Sequence, residues 1–499
     1  MFSLKNLKPR TYQQSIFETA KNNNTLAVLP TGVGKTAIAI LLVIEKLNNI
    51  KNSKAIICSP TKPLCNQHIE TLKKHTNIPN INLYTGTINP EKRKGLFENS
   101  NVIVATPQTI QSDIKNNRIS LKNVSLMVID EAHRTVKNYA YNIITTEYLE
   151  QAINPRILAL TASPGGNKKK IEEITKNLSI DSIEIRTEED EDVSPYLQQK
   201  NISWIKVQLP KELIEIQKSL QKVQQEKLNE LKKYYITKPS HLINRRDLIE
   251  YLGHFRSLIN KKNPIGFQGI SLVSQLLKLS HALDSLETQT ISSLKLFLSK
   301  IQTEKTKAAT VLKNNIEIKK TSYLIDQLKE GTEHPKLEKL KTIIESQLKE
   351  KPDSKIIVFT NFRNTVTILA KEISKINNTK VTKLIGQKEG LTQKQQIKLI
   401  EDFENNKYNI IVSTSIGEEG LSINSLDLVI FYESVASSIR RIQRSGRVGR
   451  VKPGKIIFLI TEKTKDESFY WKSLKEEKKM KEILKKMQKK EKETTLDQF

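Results

Sequence analysis

The sequence predicts two α/β units built on parallel sheets and joined through an all-α segment. Three observations predict this class. Short, nearly continuous apolar runs recur in residues 1–205 and again in 332–472. Each is closed by a polar or proline turn, as strands buried on both faces are. In 206–331 that pattern gives way to long polar stretches with leucine spacing, such as 213–220 and 272–279, which read as helices. A glycine-rich loop ending in Lys-Thr joins the first apolar run to a helix-forming run, the layout by which α/β sheets hold phosphate. A lysine–glutamate helix and a short tail, 473–499, end the chain.

The phosphate loop comes first. Thr25, Leu26, Ala27 and Val28 read as a buried strand, and the run 37–42 opens a helix. Between them lie Leu29, Pro30, Thr31, Gly32, Val33, Gly34, Lys35 and Thr36. Gly32 and Gly34 let backbone N–H groups turn around phosphate oxygens where a Cβ would obstruct. The new helix points its positive end at the same phosphates. Lys35 can reach the β- and γ-phosphates, and the Thr36 hydroxyl can join a Mg²⁺ shell. Leu29 stands where the pattern G-x-x-x-x-G-K-[ST] has its first glycine. Taken alone, the loop also reads as a glycine turn that happens to end in Lys-Thr.

Strands follow at 54–60, 101–107, 126–130 and 157–161, and their polar ends would gather at one sheet edge, where open α/β sheets bind ligands. The strand from Leu126 ends in Asp130, Glu131, Ala132 and His133. At such a strand tip Asp130 can hold Mg²⁺ and Glu131 can activate an attacking water. The helical segment has breaks at Lys238-Pro239 and 263–266. The α/β pattern resumes at 334–336, with strands at 355–360, 408–414, 426–431 and 455–460 but no phosphate loop. One loop for two units suggests a nucleotide gripped between unequal partners. Residues 443–450 bring three arginines and a glutamine to the second unit, and arginines stabilise spread charge on a transferring phosphoryl group, an effect worth roughly 10³–10⁵ in rate.

The 499 residues suffice for about three domains. Lysine and arginine total 82 against 54 acidic residues, a net charge of +28 that attracts polyanions and implies a salt-sensitive partner. Lysine enrichment alongside abundant Asn and Ile is the compositional alternative. No apolar run approaches a membrane span, and the N-terminus lacks a secretory signal. Cys58 and Cys65 suggest neither a disulfide framework nor a zinc site, so a reducing cytoplasm is expected.

Together, Asp130-Glu131-Ala132-His133 and the loop at 30–36 resemble a superfamily 2 helicase of the DEAH-box type. That resemblance implies two RecA-like motor domains using ATP and Mg²⁺. It makes Gln13, in Arg10-Thr11-Tyr12-Gln13, an adenine reader. It makes Thr61, Lys62, Thr106, Asn361, Phe362 and Thr414 contacts to one nucleic-acid strand. His133, Thr161 and Ser163 would link hydrolysis to movement, Arg447 and Arg450 would be arginine fingers, and Gln443 would contact the γ-phosphate or the attacking water.

Further runs at 29–32, 192–196, 418–421, 431–433 and 466–471 look like the archaeal Hef helicase, whose group includes Fanconi anaemia M-type proteins that remodel forked and branched DNA. The helical segment would then be a thumb-like insertion gripping duplex arms. Ser422 stands where that group usually has Asp. No XPF-like nuclease motif occurs, so cutting is expected from another protein. Two other readings remain: a duplex-RNA-dependent ATPase, and an ATP-gated clamp that marks forks without unwinding them. At the tail, Leu496 and Phe499 have the spacing of a sliding-clamp docking peptide, while Glu493 replaces its usual Gln and a second aromatic is missing.

Overall fold

The computed structural model describes residues 1–496 except 199, 235, 237, 330, 387–390, 415–425, 436 and 447–453. Seven strands form the first sheet: Thr25–Val28 (β1), Lys54–Cys58 (β2), Ile81–Tyr84 (β3), Val102–Ala105 (β4), Val124–Asp130 (β5), Ile157–Thr161 (β6) and Ser182–Ile185 (β7). Their order is β3-β4-β2-β5-β6-β1-β7, and the pairings are parallel. β1, β4, β5 and β6 are buried along their whole length, as their unbroken apolar runs require. Helices cover both faces. Ile38, Leu42 and Val43 of the helix Lys35–Asn49 pack on one, and Tyr141, Ile144 and Tyr148 of the helix Ala140–Gln151 on the other.

The second sheet has the order β10-β11-β9-β12-β13-β8, again parallel. Its strands are Lys200–Val207 (β8), Ile356–Phe359 (β9), Val381–Leu384 (β10), Ile410–Ser413 (β11), Leu428–Phe431 (β12) and Gly454–Thr461 (β13). The domain boundary expected at 205 therefore falls inside β8, which pairs with β13 along all eight residues. β8 is a largely exposed edge strand carrying Ile202 and Trp204, and like β3, β7 and β10 it lacks the continuous apolar run that marks the remaining strands.

The helical insertion comprises Lys211–Lys232, Arg245–Asn260, Ile265–Thr288, Ile291–Thr303, Lys307–Asn314 and Ile316–Asp326. Two apolar clusters share its long first and third helices, one including Leu220, Leu283 and Leu298, the other Leu231, Phe255 and Leu276. A Cβ on Gly269 would overlap the Phe255 ring, so this glycine lets two helices approach closely. The insertion is anchored on the second sheet. Tyr432 Oη donates to Gln289 O at 2.9 Å, Thr365 Oγ1 to Gln289 Oε1 at 3.1 Å, and Lys465 N to Glu287 Oε2 at 3.2 Å.

The last helix runs Lys465–Leu496, starting eight residues before the 473 boundary expected for it. Its first turns belong to the second unit, where Asp466 forms a fully buried ion pair with Lys336 and Tyr470 joins the core around Phe458. Its later turns cross to the first unit, where Met480 and Leu484 enter that core. Among the described residues no helix is long and apolar enough to cross a membrane. Leu496 closes this helix, and Phe499 lies outside the described residues.

Candidate nucleotide site and motor elements

The phosphate loop leaves β1 with Leu29, whose N–H donates to Thr161 O at 3.1 Å and whose side chain is buried in the core. That role explains an apolar residue at this position. Gly32 and Gly34 take φ of 84° and 81°, the left-handed region that glycine occupies without penalty. Gly34 is the N-cap of the helix Lys35–Asn49. Gln13 accepts from Arg10 N at 2.9 Å and donates to Val33 O at 3.1 Å and Gly34 O at 3.2 Å. Tyr12 Oη also donates to Val33 O. The expected adenine reader is thus held rigidly against the loop. Lys35 Nζ lies 3.4 Å from Leu29 O and 3.3 Å from Pro30 O.

β5 delivers Asp130 beside this loop. Its carboxylate accepts from Ser59 Oγ at 2.9 Å, lies 3.0 Å from His68 Nε2, and takes the Glu131 N–H at 3.0 Å. Burial alone would raise the Asp130 pKa, but His68, Ser59 and the Lys35 charge hold it below the usual carboxylate value. Glu131 has φ of 52°, a left-handed conformation uncommon for a residue with a Cβ. Its Oε2 lies 3.2 Å from His133 Nδ1, which is also 3.2 Å from Thr161 Oγ1. Thr161 Oγ1 accepts from Ser163 N at 3.1 Å, and Ser163 Oγ contacts Met480 Sδ at 3.0 Å. The expected coupling residues His133, Thr161 and Ser163 thus form a chain to the last helix, with Glu131 Oε2 beside it but without a hydrogen-bond partner among the described residues.

These residues suit a Mg²⁺-nucleotide. A loop of positive-φ glycines, a lysine and a hydroxyl at its helix start, and an ionised buried aspartate beside that lysine form a complementary donor set.

The second unit reaches this site through the helix Ser438–Ser445 and Gly446. A Cβ on Gly446 would overlap the Thr31 side chain, so the two units touch directly at the phosphate loop. Gln443 is buried on this helix. Arg447 and Arg450 lie outside the described residues, as does Ser422. Arg444, one of the three arginines of that run, is fully buried, sits 5.1 Å above the Phe359 ring and donates to Asn361 Oδ1 at 3.1 Å.

The expected strand contacts lie at the carboxyl ends of neighbouring strands. Thr61 and Thr106 cap helices after β2 and β4, which pair with each other. Thr61 Oγ1 is buried without a hydrogen-bond partner among the described residues, Lys62 Nζ donates to Thr87 Oγ1 at 3.1 Å, and Thr106 Oγ1 lies 2.8 Å from Thr109 Oγ1. In the second unit Asn361 and Phe362 follow β9 and Thr414 follows β11, the adjacent strand. Buried Glu433 accepts from Thr360 Oγ1 at 2.8 Å and Asn361 N at 2.9 Å; burial pushes its carboxyl up to about 7. The sequence reading gave no role to Ser59, His68, Glu433 or Met480. A signal existed for His68: Cys65, His68 and Leu72 share one helical face, and all three are buried.

A phosphate loop and an Asp-Glu strand end in one α/β unit, met by an arginine-rich helix from a second, define a superfamily 2 helicase motor. The DEAD/DEAH box helicase family matches residues 10–171 and the helicase conserved C-terminal domain residues 335–452. The crystal structure of the Pyrococcus furiosus Hef helicase domain superposes with a TM-score of 0.72 at 40% identity, covering 93% of this chain and 97% of that one. The chain belongs to the Hef and Fanconi anaemia M-type group of superfamily 2 helicases. A Methanocaldococcus jannaschii protein named as an ATP-dependent RNA helicase is 37% identical over 97% of this chain and 61% of its own length. The ATP-dependent DNA helicase mph1 of Neurospora crassa is 33% identical over 93% of this chain and 42% of its own. The chain thus spans less than two thirds of the length of these two curated relatives.

Proposed function

We propose that this chain is an ATP-dependent DNA helicase or translocase that remodels forked or branched DNA in replication-fork repair, working in the cytoplasm. The observation that carries this reading is the contact between Gly446 of the second unit and Thr31 of the phosphate loop, which makes the nucleotide site depend on both units at once. Thr36 and Asp130 hold the metal of a bound Mg²⁺-ATP, and Lys35 holds its phosphates. Glu131 takes the proton of the attacking water, oriented by His133. Gln443, Arg447 and Arg450 arrive from the second unit, so hydrolysis follows domain closure. Thr61, Lys62, Thr106, Asn361, Phe362 and Thr414 grip a strand through its backbone, which makes movement largely independent of sequence. The surplus of positive charge supports a nucleic-acid track.

A duplex-RNA substrate is the second reading, favoured by the name of the M. jannaschii relative as an RNA helicase. Phosphate release measured with forked DNA, single-stranded DNA and duplex RNA separates the two. Forked DNA is expected to stimulate most; stimulation by duplex RNA alone would replace the DNA reading. Strand displacement without nucleic-acid trapping separates a motor from a fork-marking clamp. We also propose that Leu496 and Phe499 dock on a sliding clamp. A peptide spanning 489–499 is expected to bind it, and equal binding by its Leu496→Ala, Phe499→Ala version would end that idea.

A further inference from the structure

A groove of about 1010 Å³ opens where the insertion meets the second unit, lined among others by His281, Ser285 and Gln289 from one side and Phe362 and Arg363 from the other. Residues 281 and 285 are four apart, so they fall on one face at the end of the helix Ile265–Thr288, and Gln289 is the residue that caps it. The His281 ring stacks on Phe362, with centroids 5.6 Å apart and planes at 22°, and meets Phe297 edge-on at 4.3 Å. All three residues are half-buried and line the groove.

The polar groups of this face are incomplete. His281 Nδ1, Ser285 Oγ and Gln289 Nε2 have no hydrogen-bond partner among the described residues, although Ser285 is 1% and Gln289 2% exposed. Buried polar atoms are normally paired, so three orphans clustered behind one groove mark a place where the described residues leave polar groups unsatisfied. The groove's charges are Lys278, Lys300, Arg363 and Glu304, with Lys278 Nζ bound to Glu304 at 2.5 Å.

We propose that His281, Phe297 and Phe362 form a composite shelf on which one unpaired base of the bound DNA strand stacks, with Ser285 and Gln289 beneath it and Lys300 and Arg363 along its phosphates. A π-shelf beside cations is how proteins hold single strands without reading sequence. One half of the shelf is a motor element and the other belongs to the insertion, so the base occupies the junction where an insertion could sense strand separation. Burial holds the His281 pKa below its ordinary value, so the ring stacks as a neutral aromatic at neutral pH. This inference rests on the DNA-motor reading above.

The test is equilibrium binding of the intact chain to forked DNA carrying 2-aminopurine at successive positions of its unpaired arm. With the natural protein, fluorescence at one position is expected to be quenched by stacking. His281→Ala should lose that quenching and weaken binding about tenfold, while His281→Phe should keep both within about threefold. The salt slope of binding should be unchanged in His281→Ala but fall by about 0.7 in Lys300→Ala, which removes a phosphate contact. Nucleotide-only phosphate release checks that each variant is folded, and Ser285→Ala gives a milder second probe should His281→Ala not fold. Quenching and affinity that survive in both His281→Ala and Ser285→Ala, with natural binding intact, would overturn the shelf alone. A natural chain that binds no DNA would overturn the motor reading and the shelf with it.

Discussion

Glu131 concentrates the chemistry on one side chain. It sits in a left-handed conformation one residue after the aspartate assigned to the metal, with His133 Nδ1 3.2 Å from its carboxylate. Glu131→Gln preserves shape but cannot accept a proton, so phosphate release should fall by roughly 10²–10⁴ while ATP binding persists. Stopped-flow nucleotide binding beside steady-state turnover checks both halves. Glu433 makes a different prediction. Its carboxyl is raised to about 7 from 4.5, so the folded state binds its proton more tightly than the unfolded chain does. Its stabilising contribution is complete below about 4.5 and is lost as pH rises through about 7. Glu433→Gln, neutral at every pH, should lack this decline, so its stability relative to the natural chain should rise between pH 4.5 and 8 by about 3 kcal/mol at most, from a starting point lowered because its amide nitrogen cannot accept from Thr360 Oγ1 or Asn361 N. Buried His334 runs the other way, since burial lowers its pKa to about 3, and folding loses stability as pH falls from about 6.5 toward that value. The two slopes oppose each other near pH 5–6, so denaturant melts of the natural chain and Glu433→Gln should be compared across the whole range.

Among elements, buried strands were the most legible in the sequence, because a run such as Leu126–Ile129 has few other places to go. The loop, the Asp-Glu strand end and their shared sheet edge were legible for the same reason: chemistry and spacing coincide. β8 was not, because an exposed edge strand carries polar residues on most of its length and needs only a partner strand to form. The start of the last helix was misjudged because Asp466 and Glu467 at its first turn are polar, yet Asp466 is buried by its ion pair with Lys336. The support around Asp130 was hidden because Ser59 and His68 gain meaning only when β2 is laid beside β5. The insertion shows how a single glycine sets an element contact. Gly269→Ala places a methyl group into the Phe255 ring and should destabilise that lobe by about 1–3 kcal/mol, leaving nucleotide-only turnover unchanged. Hydrogen exchange in 245–288, read beside phosphate release, checks both statements.

Across the whole molecule, the last helix joins the two units, while β8 and the insertion belong to the second. That helix begins in the core of the second unit and ends in the core of the first, contacting Arg441 through Glu477 and Ser163 through Met480 on the way. Leu484, fully buried against the first sheet, should contribute as a core residue does, so Leu484→Ala should lower stability by about 2–5 kcal/mol. Thermal denaturation of the variant checks this, and a change near zero would mean a loosely docked tail. The same geometry makes ATP turnover a property of both units. The most direct test is steady-state phosphate release with and without forked DNA, for the natural chain and for Arg447→Ala. The account predicts strong stimulation by the fork and a loss of roughly 10³-fold or more on removing the arginine. Turnover that ignores the fork, or that survives in Arg447→Ala, would contradict a site completed by the second unit.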